Sequence, residues 1–276
     1  MPELPEVENV KRSLTPMIIN QKIISIDIFY EKIISKKGNF NLLNNLLNKK
    51  ILKINRIAKN LIIEVESNLY LLVHLKMTGK LLYYRKNSND FMYHKTKHDH
   101  IIFNLENGYL IYNDVRKFGY IGIFDSKSEL FSLFETIGID SFDNFDKDVF
   151  IKSVKKSKGN LKKVFLEQKV VSGLGNIYSD EVLFDSKINP NRKVETLTNS
   201  EINDLYQSIT VIIQNAVTHG GSSISDYVMA DGKRGSYSQF HKVYKRGGKE
   251  CLICGFILTK TKIASRTTVY CSICQK

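Results

Sequence analysis

Two stretches at opposite ends of the chain have residue types and spacing that can do chemistry. The first is Met1-Pro2-Glu3-Leu4-Pro5-Glu6. Proline directly after a start methionine marks a site where bacterial processing removes the methionine, which would leave Pro2 with a free secondary amine. An amine is a nucleophile toward carbonyl-like carbon, and a secondary amine forms an iminium that is cationic without a further proton. An α-amine has a pKa about 2.5 below that of a lysine side chain, so more of it is neutral near pH 7. Glu3 lies next to it and Glu6 within reach, which supplies carboxyls for proton transfer. The same residues also suit an ordinary helix start, with glutamates in the first turn favoured by the helix dipole.

The second stretch holds Cys251-x2-Cys254 and Cys271-x2-Cys274, separated by 16 residues. This is the spacing of a four-cysteine zinc ribbon. Each C-x2-C loop aims two sulfurs at one point, and two such loops close a tetrahedron with no open position, so one structural Zn2+ is expected. All four cysteines fall in the last 26 residues. Without a secretory signal, that clustering favours a metal over disulfides.

Weaker signals lie between these ends. Ser172-Gly173-Leu174-Gly175-Asn176 joins two helical patterns; glycines let the backbone approach an anion, and the N–H groups opening the next helix suit a phosphate. Alone, this is an ordinary loop. His74-Leu-Lys-Met77-Thr-Gly79 and Asp114-Val-Arg116-Lys-Phe118-Gly119 end strands with apolar side chains on turns. Such exposure is costly unless it serves a purpose, and proteins that open a duplex insert apolar wedges between bases. The plainer reading packs Met77 and Phe118 inward and pairs Arg116 with Asp114.

Charge is uneven. The whole chain has 41 Lys+Arg and 28 Asp+Glu, net +13. Residues 1–150 hold 21 against 18, net +3, and residues 151–276 hold 20 against 10, net +10. The asymmetry suggests a polyanion engaged mostly by the second half, although a Lys/Asn/Ile-rich composition also inflates lysine without a functional gain. Glu3, Glu6 and Glu8 break any signal peptide. No run of about 18 apolar residues is present, so no membrane span is expected; a cytoplasmic location follows as the expectation.

These residues need elements to position them. Val7, Val10 and Leu14 define a short helix over residues 5–15. Period-two or short apolar patterns predict strands at Lys22–Tyr30, Ile51–Ile57, Leu61–Glu66, Leu69–Leu75, Lys80–Tyr84, His100–Leu105, Tyr109–Tyr112 and Tyr120–Phe124, with turns that include Asn87–Asp90. Leu42–Leu47 reads as helical. Many short strands at this spacing suggest a β-sandwich. Residues 126–150 are polar and mixed, the pattern of a hinge. Helices follow at Asp148–Lys156, Leu161–Lys169, Asn176–Ser186 and Ser200–Val217, the last capped by Thr198 or Ser200 and ended by Gly220. Residues 220–250 read as loop, and Phe256–Lys262 with Thr267–Tyr270 as a β-hairpin with Arg266 near its turn.

The combination of Met1-Pro-Glu-Leu-Pro-Glu-Val-Glu8, the 56–59, 74–79 and 114–119 segments, the 172–178 turn and the cysteine module resembles the formamidopyrimidine-DNA glycosylase family of bacteria, over nearly the full length. The resemblance implies an α+β chain of two domains: an N-terminal β-sandwich with an N-terminal helix (1–130), a hinge (131–147), a helix–two-turn–helix domain (148–220), a lesion-capping loop region (221–240) and a zinc module (241–276). It implies a glycosylase with abasic-site lyase activity, acting as a monomer on double-stranded DNA that contains oxidised purines. Pro2 would be the nucleophile and Glu3 the acid/base, with Glu6 in support. Lys59 and Arg266 would complete the catalytic set; with Lys158 and Asn176 they would hold phosphates, and His74 would also contact the DNA. Met77, Arg116 and Phe118 would fill the gap left by the extruded nucleotide. Ser222, Ser223, Ile224, Ser225, Asp226 and Tyr227 would cap the lesion. Val115 and Lys117 replace a proline and an arginine common in the family, and Thr78 replaces a serine or glutamate. Two alternatives stand beside this reading: a related glycosylase for oxidised pyrimidines, and a non-catalytic zinc-ribbon binder of damaged DNA.

Overall fold

The computed structural model describes residues 2–35, 37–86 and 93–276. Met1, and with it the expected processing site, lies outside the described residues, as does the turn expected at Asn87–Asp90. The chain divides into two units. Unit 1 comprises 1–2, 6–135 and 220–236, and unit 2 comprises 3–5, 136–219 and 237–276.

Unit 1 is built from α1 (Leu4–Ile18), whose first two residues count with unit 2, and eight strands. The strands are β1 (Ile23–Ile28), β2 (Ile51–Ile57), β3 (Asn60–Val65), β4 (Leu69–His74), β5 (Gly79–Arg85), β6 (Asp99–Leu105), β7 (Gly108–Asp114) and β8 (Tyr120–Phe124). They form two four-stranded antiparallel sheets, ordered β1-β6-β7-β5 and β2-β3-β4-β8. Inward residues of both sheets, Leu61, Ile63, Leu71 and Val73 from one and Ile101, Phe103, Leu110 and Tyr112 from the other, share one core with Val7, Val10, Leu14 and Ile18 of α1. The α+β class and the N-terminal sandwich are therefore as expected.

Two local details differ. α1 runs three residues past its expected end, through Pro16; a proline removes only one hydrogen bond there, and burial of Ile18 holds the last turn. The 40–46 segment is a 3-10 helix, with Asn39 accepting the Asn41 N–H. Within the stretch expected to be a hinge, α2 (Lys127–Ser132) lays Leu130 against Ile62, Tyr70, Leu72 and Phe124 on the outer face of the second sheet.

Unit 2 holds β9 (Ile139–Asp140), α3 (Lys147–Lys156), α4 (Leu161–Leu166), β10 (Val171–Ser172), α5 (Asn176–Asp185), α6 (Asn199–Thr218), β11 (Thr259–Ile263) and β12 (Arg266–Tyr270). α6 opens on a capping box. Thr198 accepts the Glu201 N–H at 3.2 Å, and Glu201 accepts the Thr198 N–H at 2.7 Å, an arrangement that satisfies two otherwise orphaned donors. Gly220, at φ +75°, follows its C-terminal end. β11 and β12 pair through a two-residue turn, Ala264-Ser265, with φ of 49° and 60°; left-handed values at both positions match the twist of a hairpin. The hairpin starts later than the expected Phe256. Among the described residues, no helix is long and apolar enough to cross a membrane.

Candidate functional site

In unit 2, the Glu3 carboxylate is buried. It accepts the backbone N–H of Gly175 at 2.7 Å, of Ile177 at 2.9 Å and of Tyr178 at 3.2 Å. These are the free donors that open α5, where the helix dipole favours an anion. Glycine at 175 is required by contact, since a Cβ there would lie 2.4 Å from Glu3 Cδ and Oε1. Gly173 has φ +97°, and a Cβ on it would meet Leu4 at 2.4 Å. The glycines thus bring the start of α5 against Glu3 and Leu4. Pro2, the residue before, is buried.

Asn176, the first residue of α5, donates from Nδ2 to the Thr267 carbonyl at 3.0 Å. The Asn176 side chain is also hydrogen-bonded to Tyr244. Asn176, Tyr244, Lys245, Lys260, Arg266 and Thr267 line a cavity of about 510 Å3. Arg266 is exposed at the first position of β12. Lys158 is exposed in the link between α3 and α4 and is not among the lining residues.

Sequence reasoning missed what holds this arrangement. Lys162 Nζ is fully buried, 2.6 Å from Asp180 Oδ1 and 2.7 Å from Thr268 Oγ1. Asp180 also accepts the Val269 N–H at 3.2 Å. α4, α5 and β12 are therefore tied through one charged cluster. Burial pushes the Asp180 carboxyl up to about 7, against the opposing pull of Lys162. Glu181 accepts the N–H groups of Lys242, Val243 and Tyr244 at 2.8–3.0 Å and so fixes the approach to the cysteine module. The sequence carries no local signal for this: it is the structure that shows Ile177 to Phe184 all buried, where acidic residues must be paired.

In unit 1, the Glu6 carboxylate accepts the Ser222 N–H at 2.7 Å. The loop from Gly220 to Tyr227 is closed by its own bonds. Tyr227 donates to the Gly220 carbonyl at 3.1 Å, Ser223 Oγ to the Tyr227 carbonyl at 3.0 Å, and the Gly235 N–H to Ser223 Oγ at 2.9 Å. The Arg234 guanidinium donates to the carbonyls of Ser223 and Ser225 at 3.3 and 3.0 Å. Ile224 and Asp226 are half-buried and Ser225 is exposed.

Lys59 sits in the turn between β2 and β3, after Ala58 at φ 51°. Arg56 braces that turn, donating to the Ala58 carbonyl at 3.0 Å and to Glu8 of α1 at 2.9 Å. Burial raises the Glu8 carboxyl, but Arg56, Arg12 and Lys11 outweigh it and hold the group below the usual range. His74 is depressed to about 3, first by burial and then by the charges of Lys76, Lys59 and Lys37. Its Nδ1 accepts the Lys76 N–H at 2.9 Å, so the proton resides on Nε2 as a donor. Three lysines and a neutral histidine make a strongly positive corner.

Met77 is 37% and Phe118 54% exposed. The Arg116 guanidinium lies 3.1 Å from Met77 Sδ and 4.6 Å over the Phe118 ring. Arg116 is thus stacked between its neighbours, and Asp114 is occupied by other donors: the Thr78 hydroxyl and the N–H groups of Arg116 and Gly119. The plainer inward-packed reading does not describe these side chains.

The sulfurs of Cys251, Cys254, Cys271 and Cys274 all lie within 4.8 Å of one another and can hold a metal ion. The Ile253 and Cys274 N–H groups donate to Cys251 and Cys271 sulfurs at 3.5 Å.

Comparison with known proteins agrees with this geometry. Residues 1–121 match the formamidopyrimidine-DNA glycosylase N-terminal domain, and residues 137–228 the formamidopyrimidine-DNA glycosylase H2TH domain. The chain is 37% identical over 277 residues to the formamidopyrimidine-DNA glycosylase of Carboxydothermus hydrogenoformans, covering all of both proteins. It is similar to a Lactococcus lactis variant of that enzyme solved with Fapy-dG-containing DNA, with a TM-score of 0.91, 38% identity and full coverage of both chains. The wild-type L. lactis protein solved with DNA containing an oxidised pyrimidine gives a TM-score of 0.89, 38% identity and full coverage of both chains.

Proposed function

The chain belongs to the formamidopyrimidine-DNA glycosylase family, and from that premise we propose that it is a base-excision repair glycosylase and abasic-site lyase acting on duplex DNA with oxidised purines. The observation that carries the reading is the Glu3 carboxylate, buried beside Pro2 and held by three N–H groups at the start of α5. The cap that this carboxylate gives α5 also fixes an acid at the residue next to the Pro2 nucleophile.

Once Met1 is removed, the Pro2 nitrogen lone pair attacks C1′ of the damaged nucleotide. The C1′–N bond breaks, and the base leaves with that electron pair and a proton. Glu3 moves protons at the sugar as the ring opens. The resulting iminium acidifies the C2′ proton; its loss expels the 3′ phosphate, and a second elimination expels the 5′ phosphate. Water then adds to the iminium carbon, and hydrolysis frees the Pro2 amine and the sugar fragment as an aldehyde. Glu6 supports the loop at Ser222. Lys59 and His74 in unit 1, and Asn176 and Arg266 in unit 2, hold phosphates, while Lys158 adds positive charge. Met77, Arg116 and Phe118 occupy the gap in the stack, and the 222–227 loop covers the extruded base. The chain works as a monomer in the cytoplasm.

Zinc suits the cysteine site. A Zn–S bond of about 2.3 Å in a tetrahedron requires sulfurs about 3.8 Å apart. Cys251 and Cys274 sulfurs are 3.9 Å apart, and Cys254 and Cys271 3.5 Å. A disulfide needs about 2.05 Å. When bound, Zn2+ supplies structural cross-linking with no open position, and the four cysteines hold it.

A second reading, activity on oxidised pyrimidines, draws support from the L. lactis complex with such DNA. Excision from 8-oxoguanine:C and thymine glycol duplexes, measured side by side, tests both. Faster release of 8-oxoguanine is expected; faster release of thymine glycol reverses the order of the two readings, and release of neither leaves a binding protein.

A further inference from the structure

We propose that Thr78 and Asp114 are positioning residues that set the spacing of the two turns bearing Met77, Arg116 and Phe118. The proposal rests on the functional reading above. β4 and β8 belong to one sheet and β5 and β7 to the other. Both turns therefore cross from sheet to sheet, one from β4 to β5 and one from β7 to β8. They run side by side, because Gly79 pairs with Asp114 and His74 with Tyr120.

One carboxylate joins them. Asp114 is fully buried, and Thr78 is 8% exposed. The Thr78 hydroxyl donates to Asp114 Oδ1, which also accepts the Arg116 N–H at 3.1 Å, while Oδ2 accepts the Gly119 N–H at 2.8 Å. The Arg116 N–H is also 3.1 Å from the Thr78 hydroxyl oxygen. Tyr112 donates to the His74 carbonyl at 3.1 Å beneath the joint. There is no slack: a Cβ on Gly79 would lie 2.5 Å from the Leu75 carbonyl oxygen, and one on Gly119 2.7 Å from that of His74.

A buried joint thus supports exposed tips that are already stacked on one another. Side chains held in their working positions lose less freedom when they enter a gap in a base stack. Thr78 is the point where this depends on a single hydroxyl, since Asp114 keeps its two backbone donors without it.

Thr78→Val keeps the shape and removes the hydroxyl; Thr78→Ser keeps the hydroxyl. Single-turnover excision is measured on 8-oxoguanine opposite C and opposite A, together with cleavage of a single-stranded abasic oligonucleotide, which has no opposite base and no stack to fill. Loss of one buried hydrogen bond predicts that Thr78→Val slows duplex excision by about tenfold, compresses the preference between C and A, and leaves single-strand cleavage within about twofold of wild type. Thr78→Ser restores the wild-type duplex rate. Thr78→Ala serves the same test if the valine variant is poorly folded by circular dichroism. The proposal is overturned if duplex excision is unchanged, if Thr78→Ser fails like Thr78→Val, or if single-strand cleavage falls in parallel. A wild-type chain inactive on every substrate sinks the enzyme reading and this proposal with it; an active wild type with an indifferent Thr78→Val sinks the proposal alone.

Discussion

Replacing Gly175 by alanine adds one methyl group where the structure has no room for it. The new Cβ would sit 2.4 Å from both Cδ and Oε1 of Glu3 and 2.8 Å from its Cγ. Contacts that close are untenable, and Glu3 is the partner able to move. Its movement breaks some of the three bonds to Gly175, Ile177 and Tyr178. Hydrogen bonds to a charged group contribute about 1.5–3 kcal/mol each. Losing one or two of them puts the displacement near 3 kcal/mol, which is about a hundredfold in rate. A shift of about 1 Å in a catalytic group costs a similar factor. Single-turnover excision of 8-oxoguanine opposite C should therefore fall by about two orders of magnitude. Zinc content and DNA binding at matched salt should hold, because the contact is local to Glu3. A Gly175→Ala enzyme within about threefold of wild type would refute the claim that Glu3 must occupy this cradle.

Three further outcomes are expected. Cys254→Ser, or chelation of the wild type, should release one metal ion and loosen the β11–β12 hairpin; the slope of log Kobs against log salt should then shrink by about 0.9 for each phosphate that Arg266 no longer neutralises, and an unchanged slope removes Arg266 from the DNA interface. Folding stability should fall on acidification, because His74 and His241 are depressed to about 3 and about 4, both chiefly by burial. A depressed histidine means that the unfolded chain binds more protons below pH 6.5, so stability is complete above that value and is lost as pH falls toward the folded pKa. From pH 6.5 to 5 each such histidine removes about 2 kcal/mol, while the raised Asp180 carboxyl acts in the opposite sense; in urea titrations a His241→Asn variant should therefore lose less stability than wild type between pH 7 and pH 5, and an equal loss would contradict the burial argument. Asp180→Asn should cost about 3 kcal/mol or more by stranding the Lys162 charge, a loss visible in thermal melting and absent if the pair were solvated.

Much of the framework was legible because hydrophobic alternation and caps are local. Strands β3, β4 and β8 show near-continuous apolar runs, and all three are buried on both faces, against the shared core and against Leu130 of α2. Thr198 could be read as a cap because its partner Glu201 is three residues away. What escaped the sequence depends on contacts between distant residues. The return of 220–236 to unit 1 reflects the Ser222 bond to Glu6 and the Ala230 bond to Ser13, neither of which has a local signature. α2 lies in a polar stretch, and only Leu130, Leu133 and Phe134 mark its buried side. Lys162 reads as a surface lysine until Asp180 is known to face it. Lys158, a phosphate contact by the family resemblance alone, is exposed and does not line the cavity of Asn176 and Arg266.

The central claim is that Pro2 bonds covalently to the damaged nucleotide. Its most direct test is borohydride reduction during turnover of an 8-oxoguanine:C duplex, with peptide mapping of the adduct and with Pro2→Gly as the comparison. The account predicts one trapped species, joined to DNA at the Pro2 nitrogen of a chain lacking Met1. Absence of any adduct from an enzyme shown to lack Met1, to contain zinc and to bind the duplex would contradict it.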